Sequence, residues 1–223
     1  MVRSWYMILP RRVKEMIDSS CLCRLALIET QKFNLALVGP LMEKWWPSTH
    51  SFHVPVGEIT ITPLYFYAST GVPFGGRPMT RPETLTAREF ADLTGLTIVT
   101  NQTHIHLRDI SARWWRTDLW VNLGNMAQVI RSFLLFAMGQ CLFSDLRVGV
   151  DICLVFFFED LQEVDSWDWG GAIYAYLLWT LDLLSYGDRG LKGIGYILQP
   201  WCFEQLEISV PRLRDPQVTW RPF

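Results

Sequence analysis

Two long, strongly apolar segments in the second half of the chain constrain its fold more than any other feature. One spans residues 127–143, and the other begins at a capping residue, Asp165 or Ser166, and continues to about Ser185. Polar residues, including Asp182, interrupt the apolar runs before they reach the roughly 20 residues that a bilayer span needs. We therefore predict two core helices of a soluble domain.

Shorter elements are indicated by helical periodicity, β-prone runs and turn residues. Thr62-Pro63 is typical of an N-cap followed by proline, and residues 86–89 match a capping box. Residues 72–85 are rich in Gly and Pro and predict a loop, whereas Pro200 predicts a kink or a late start of the closing helix. The predicted elements are a helix at 35–46 ended by Pro47, a β-hairpin of 51–54 and 58–62, and helices from Pro63 toward Gly71, from Thr86 toward Gly95 and near 197–206.

Composition and the lack of repeats bound the number of domains. Half of the 223 residues are apolar and eleven are tryptophan, which suffices for a large core and excludes a disordered chain. No repeat, low-complexity tract or linker divides the chain. We predict a mainly α, single compact helical domain over residues 1–210 with a small β-hairpin near residues 50–62, followed by a C-terminal extension at 211–223.

The charge distribution is uneven although the net charge is only −2. This net charge argues against wholesale wrapping of nucleic acid or anionic lipid. Residues 1–24 are mainly basic, whereas the charged residues of 145–168 are all acidic except Arg147, so we expect two patches of opposite sign. Five cysteines without paired spacing, and a start without a secretion signal, predict reduced thiols in an intracellular protein.

The histidines of the hairpin are the first candidates for catalysis or metal binding. A hairpin can bring His53 opposite Glu58, and a histidine with a carboxylate can bind zinc or move protons. His50 and His53 are three residues apart and would point to opposite faces of a strand, so they do not easily share one ion. We expect buried hydrogen bonding that fixes the hairpin on the helices, with no catalytic role.

Other candidate sites lack ligands. His104 and His106 would share a strand face, but Asp109 is the nearest third ligand and its spacing matches no known metal site. Residues 187–190, Gly-Asp-Arg-Gly, resemble part of a metallophosphatase motif whose other parts are missing, and they predict a turn. A pyridoxal-phosphate enzyme needs a lysine in a phosphate-binding context. None of the four lysines has such a context: Lys14, Lys32, Lys44 and Lys192. We therefore expect no cofactor and no metal.

Residues 108–116 are the strongest candidate for a partner-binding surface. They combine guanidinium groups for phosphates or carboxylates with aromatic faces for stacking, in Arg108, Arg113, Trp114, Trp115 and Arg116. Arginine and tryptophan are enriched in binding hot spots in general, so the pattern fits a protein partner as well as DNA. The alternative is that both tryptophans are core residues. Of these two outcomes, we expect burial of one tryptophan rather than of both.

A run from Glu43 to Thr62, EKWWPSTHSFHVPVGEITIT, resembles the signature of the plant mobile domain family. The resemblance continues in family order through Gly71-Val72-Pro73, Arg131-x-x-Leu134-Leu135 and Ser166-Trp167, and ends with Leu198-Gln199-x-Trp201-x-Phe203-Glu204. We expect a structural role for the motif residues Trp45, Thr49, His50, Phe52, His53, Pro55, Gly57, Glu58, Trp167, Gly170, Trp201 and Glu204.

The resemblance implies a helical, non-enzymatic module of nuclear plant proteins that act in transposon silencing, gene-expression control and meristem maintenance. It implies partners among nuclear proteins, such as another plant mobile domain protein or a long-form Ser/Thr phosphatase homologue, with DNA as a further partner and no membrane. A transposon-encoded passenger protein and a metal-dependent hydrolase that uses the histidines are the alternatives. The chain departs from the family at Tyr65, where an acidic residue is usual, and at Pro200.

Overall fold

The computed structural model describes residues 1–27, 35–80, 85–115, 123–143, 149–187 and 190–206. The fold is mainly helical with small antiparallel sheets, as predicted. The α-helices of this part of the chain are α1 (Val2–Ile8), α2 (Arg11–Asp18), α3 (Leu35–Met42), α4 (Pro63–Thr70), α5 (Ala87–Thr94), α6 (Leu107–Trp114), α7 (Met126–Cys141), α8 (Trp169–Ser185) and α9 (Leu198–Gln205). The strands are β1 (Trp45–Trp46), β2 (Ser51–Val54), β3 (Gly57–Ile59), β4 (His104–His106) and β5 (Gly149–Asp151).

Helix α7 confirms the first predicted core helix and is buried along most of its length. Helices α1, α2, α5 and α6 pack around it. Trp5 of α1 lies edge-on against Phe133 and Phe136, with ring centroids 5.5 and 5.0 Å apart. A Cβ atom at Gly139 would lie 2.6 Å from Cβ of Val150 in β5, so glycine is required for this close approach of helix and strand.

Helix α8 confirms the second core helix and packs against α3, α4 and β1. Its N-cap is Asp168, whose carboxylate accepts the N–H of Gly171, so the predicted caps Asp165 and Ser166 are wrong. Both lie in a preceding 3₁₀ turn, Val164–Ser166. In α9, Pro200 occupies the first turn, where backbone N–H groups have no acceptor within the helix, so the helix needs no late start. Within the described ranges, no helix combines the length and the apolarity that crossing a bilayer requires.

The predicted hairpin is confirmed as β2 and β3, with Gly57 at φ +127° as the first residue of β3, directly after the turn. The second strand is shorter than the predicted 58–62, because β3 ends at Ile59. A third strand that was not predicted, β1, pairs with β2 and places Trp45 opposite Phe52. The helix predicted at 35–46 is therefore wrong at its end, because α3 ends at Met42 and the following backbone pairs in the sheet. The Trp45 indole packs edge-on against Phe52, with centroids 4.8 Å apart, so its burial comes from the strand.

The predicted caps of α4 and α5 are confirmed. The Thr62 side chain accepts a backbone N–H in the first turn of α4, and Thr86 and Glu89 form a complete capping box at the start of α5. Both helices end at a left-handed glycine, Gly71 or Gly95. These signals are confirmed because each one depends only on residues within a single helical turn.

The loop after α4 is fastened to the start of α8. The N–H of Gly170 donates to the carbonyl of Pro73 at 3.0 Å. Arg77 lies over the Trp167 ring at 4.3 Å and pairs with Glu163 at 2.7 Å. Two parts of the family motif that are distant in sequence thus form one unit, and one acidic residue of the 145–168 segment is neutralised there.

Candidate functional site

Helix α6 carries most of the predicted partner-binding residues. Its buried face consists of Leu107, Ile110 and Trp114 and packs toward α7. The spacing of three to four residues places Arg108 and Arg113 on the exposed side. The arginines are therefore presented to solvent by a helix whose other face is fixed in the core.

Trp114 is a core residue, which corrects its assignment to the binding surface. Its side chain is fully buried, and its indole N–H donates to the carbonyl of Thr94 at 3.0 Å. A Cβ atom at Gly95 would lie 2.7 Å from the Trp114 ring, so the indole packs directly on the end of α5. This contact links α5 to α6 across a stretch of chain for which the sequence predicted no helix.

Arg113 and Arg108 differ in their contacts with the rest of the domain. The Nε of Arg113 donates to the carbonyl of Gly95 at 3.3 Å, and its guanidinium lies 5.0 Å from the Trp114 ring. The Arg108 side chain is 90% exposed, and its Nε lies 4.0 Å from the carboxylate of its neighbour Asp109. Both residues keep guanidinium N–H groups that can donate hydrogen bonds to a partner.

Trp115 is the exposed member of the tryptophan pair. It follows α6 directly, is 41% exposed, and lies 6.5 Å from the buried Trp5 ring. The expectation that one tryptophan of the pair is buried, rather than both, is therefore confirmed. Arg116, the last predicted binding residue, lies outside the described residues.

An open cavity of about 660 Å³ lies beside this surface, and it was not predicted. The segment 95–99 after α5 forms one wall, and Asp109 and Arg113 of α6 form another. The two walls belong to separate parts of the chain, so no local sequence signal could place them next to each other.

Asp182 was also not singled out from the sequence as a functional residue. One carboxylate oxygen accepts the indole N–H of Trp45 at 2.7 Å, and the other lies 3.2 Å from Nε2 of His50. Asp182 therefore joins the motif residues of the β1–β2 region to α8. Its position within an otherwise apolar helix was the available signal, because a charge in such a place needs partners.

His53 and Glu58 face each other across β2 and β3, as predicted. Their side chains are 37% and 56% exposed, so the expectation of buried hydrogen bonding is wrong for this pair. His53 Nε2 lies 3.6 Å from the Glu58 carboxylate, and its ring stacks on Trp46 with centroids 5.0 Å apart. The pair lies on the solvent side of the sheet.

The hydroxyl groups next to this pair do not complete a nucleophilic triad. Thr49 Oγ1 lies 3.3 Å from His53 Nε2, the same nitrogen that faces Glu58. Ser51 Oγ donates to Glu58 at 3.1 Å rather than to the histidine. In a triad the histidine uses one ring nitrogen for the nucleophile and the other for the carboxylate, which this geometry does not provide.

Removing His53 or Glu58 should have a small effect on stability. We expect His53→Ala and Glu58→Ala each to lower the free energy of unfolding by about 1 kcal/mol or less, because solvent screens an exposed ion pair. Urea unfolding followed by circular dichroism measures this quantity. A loss of about 3 kcal/mol in either variant would contradict the exposed placement of the pair.

The second histidine pair occupies the face predicted for it. His104 and His106 are exposed on β4, and Ile105 between them is buried. Asp151 lies opposite His104, but its carboxylate accepts the N–H of Cys153. Among the described residues, no three His, Cys, Asp or Glu side chains are grouped so that they could hold a metal ion. Residues 188–189 of the predicted turn lie outside the described part of the chain.

Two further motif contacts join the sheet and α4 to α9. The rings of Phe52 and Trp201 are both buried, with centroids 5.2 Å apart. The Tyr65 hydroxyl is buried near Glu204, and burial, followed by the Glu204 carboxylate, raises the pKa of Tyr65. A tyrosine at this position avoids placing a second carboxylate beside Glu204.

The five cysteines are thiols that form no disulfide, as predicted. Burial raises the pKa of Cys141 to about 12 and that of Cys202 to about 11. Burial, followed by the Asp165 carboxylate, raises the pKa of Cys21 to about 12. These three groups are therefore protonated near neutral pH and are poor nucleophiles.

Comparison with known proteins matches residues 22–222 to the plant mobile domain. Similar proteins in Arabidopsis thaliana include Serine/threonine-protein phosphatase 7 long form homolog (30% identical), Protein MAINTENANCE OF MERISTEMS (23%) and Protein MAIN-LIKE 2 (25%). These alignments cover 82%, 83% and 84% of this chain but only 14%, 40% and 29% of the respective relatives, so the chain spans less than half of each. No solved structure matches it. Because the family match extends over most of its length, the chain belongs to the plant mobile domain family.

Proposed function

We propose that this chain is a non-enzymatic nuclear interaction module that acts in transposon silencing, gene-expression control and meristem maintenance. Membership of the plant mobile domain family supports this role, as does similarity to Protein MAINTENANCE OF MERISTEMS. The observation that carries the proposal is the exposed indole of Trp115, which follows the helix that presents Arg108 and Arg113. Exposed tryptophan and arginine on a fixed support are typical of binding hot spots.

A protein is the favoured partner, and DNA is the second. The two arginines alternate with the acidic Asp109 on α6, and the whole chain has a net charge of −2. Phosphate backbones favour continuous basic surfaces, whereas protein interfaces commonly mix both signs around an aromatic anchor. Another plant mobile domain protein, or a long-form Ser/Thr phosphatase homologue related to the 30% identical protein, is the candidate partner.

Replacing Trp115 by alanine should weaken partner binding by about 2 kcal/mol, roughly 30-fold, because it removes the aromatic anchor. The measurement is capture of partners from plant nuclear extract, with crosslinked DNA sequenced in parallel, followed by titration against the captured protein. Trp179→Ala is the matched control, because this tryptophan is 49% exposed on α8, a different helix.

The double variant Arg108→Ala/Arg113→Ala distinguishes the two classes of partner. Loss of DNA binding with a salt slope reduced by about one per lost phosphate contact would favour DNA. A loss that depends little on salt would favour a protein. Retention of parental affinity for DNA and for nuclear proteins by both the double variant and Trp115→Ala, with the fold intact, would refute the proposed surface.

A further inference from the structure

The segment that follows α5 has unused backbone hydrogen-bonding groups. The N–H of Leu96 donates to the Thr94 side chain, and the N–H of Val99 donates to the Gln102 side chain. Between them, the N–H and C=O groups of Thr97 and Ile98 have no hydrogen-bond partner in the described part of the chain. This short stretch belongs to no helix or strand, so these backbone groups are not used in secondary structure.

These backbone groups border the cavity of about 660 Å³, which is within the range of ligand-binding pockets. Its lining combines the apolar side chains of Ile98, Val99 and Ile105 with polar groups on α6. Val99 is 74% exposed, so its apolar side chain is open to contact with a partner. Apolar contact area and unpaired backbone therefore occur together.

The charged groups that line the cavity can also bind a partner. Arg113 uses its Nε for the carbonyl of Gly95, which leaves its two terminal nitrogens without a partner among the described residues. Within the described ranges, the carboxylate of Asp109, one turn earlier on α6, has only a 4.0 Å contact with Arg108. The terminal nitrogens of a guanidinium group match the two oxygens of a carboxylate.

We propose that this cavity binds an extended segment of a partner protein that contains an acidic side chain. The main chain of the segment pairs with Thr97 and Ile98, its acidic side chain binds Arg113, and its apolar side chains contact Val99. A helical partner segment has no free backbone groups for this pairing. This inference rests on the proposed function and specifies how the partner is recognised.

The test is a selection of random decapeptides displayed on phage against the full chain, followed by fluorescence anisotropy with the enriched peptides. We expect enrichment of β-prone peptides that contain Asp or Glu. Arg113→Ala and Arg113→Gln should weaken their binding at least tenfold, whereas Arg88→Ala should change it less than twofold because Arg88 is exposed on α5 and does not line the cavity. N-methylation of the backbone beside the acidic residue should also weaken binding at least tenfold.

A charge swap keeps the test independent of folding defects. Arg113→Glu should lose the acidic peptide and gain affinity for the same peptide with lysine in place of the acidic residue. The proposal is overturned if no peptide is enriched, if the enriched peptides bind the Arg113 variants as well as the parent, or if N-methylation has no effect. It is also overturned if a 20-base-pair DNA duplex displaces the peptides through Arg113.

This outcome is separable from that of the proposed function. If partner capture from nuclear extract depends on Trp115 while the Arg113 variants and the peptides have no effect, the interaction surface stands and the peptide cavity fails. If neither Trp115 nor Arg113 affects partner capture, the proposed function and the inference that rests on it fail together.

Discussion

Replacing Trp114 by alanine should lower the free energy of unfolding by about 3–5 kcal/mol, as is usual when a large buried aromatic side chain is removed. The variant also removes the hydrogen bond to the Thr94 carbonyl and the contact with Gly95 that joins α5 to α6. Urea unfolding followed by far-ultraviolet circular dichroism provides the measurement. Trp114→Phe should lose less, because the phenyl ring still fills most of the site.

The adjacent Trp115→Ala is the matched control, with an expected loss of about 1 kcal/mol or less because the side chain is 41% exposed. The two variants therefore separate stability from binding at neighbouring positions. Equal losses of stability would contradict the assignment of Trp114 to the core and Trp115 to the surface. Binding defects of Trp114→Ala say nothing about the interface unless the variant is folded under the assay conditions.

Replacing Asp182 by alanine should lower the free energy of unfolding by about 2–3 kcal/mol. The carboxylate accepts the indole N–H of Trp45, a side chain that is only 4% exposed, and it also contacts His50. Hydrogen bonds to charged groups are worth about 1.5–3 kcal/mol, and their loss leaves the indole N–H of Trp45 unsatisfied. The same urea unfolding experiment measures the effect.

Asp182→Asn provides the control, because its side-chain carbonyl can still accept the N–H of Trp45. We expect it to recover about half of the loss. His50→Ala should cost about 1 kcal/mol or less, since the histidine side chain is 50% exposed. If Asp182→Ala and the parent unfold at the same urea concentration, Asp182 does not hold the β1–β2 region on α8.

The sequence by itself determined the elements that depend on neighbouring residues. The caps at Thr62 and Thr86, the terminating Gly71 and Gly95, and the hairpin around Gly57 were predicted and confirmed. The two core helices were also predicted, because a long apolar run can be satisfied only by burial. The cap, glycine and hairpin signals each lie within a few residues of the chain, so no tertiary contact is needed to interpret them.

The candidate site was predicted only in part. Arginine and tryptophan chemistry indicated residues 108–116, and the structure places Arg108, Arg113 and Trp115 at the surface. The sequence could not decide which tryptophan is buried, because that depends on how α6 is rotated against α7. Nor could it place the segment 95–99 opposite α6 to form the cavity.

Tertiary structure alone decided the remaining features. Trp45 was predicted on a helix, but pairing with Phe52 in the sheet and the hydrogen bond to Asp182 hold it in a strand. The pairing of β4 with β5 and the contact of Arg77 with Trp167 likewise join residues that are distant in sequence. Helical periodicity and turn preference reflect interactions between residues that are close in sequence. The long-range contacts are stabilised by burial and hydrogen bonds, which form only after the chain has closed long loops.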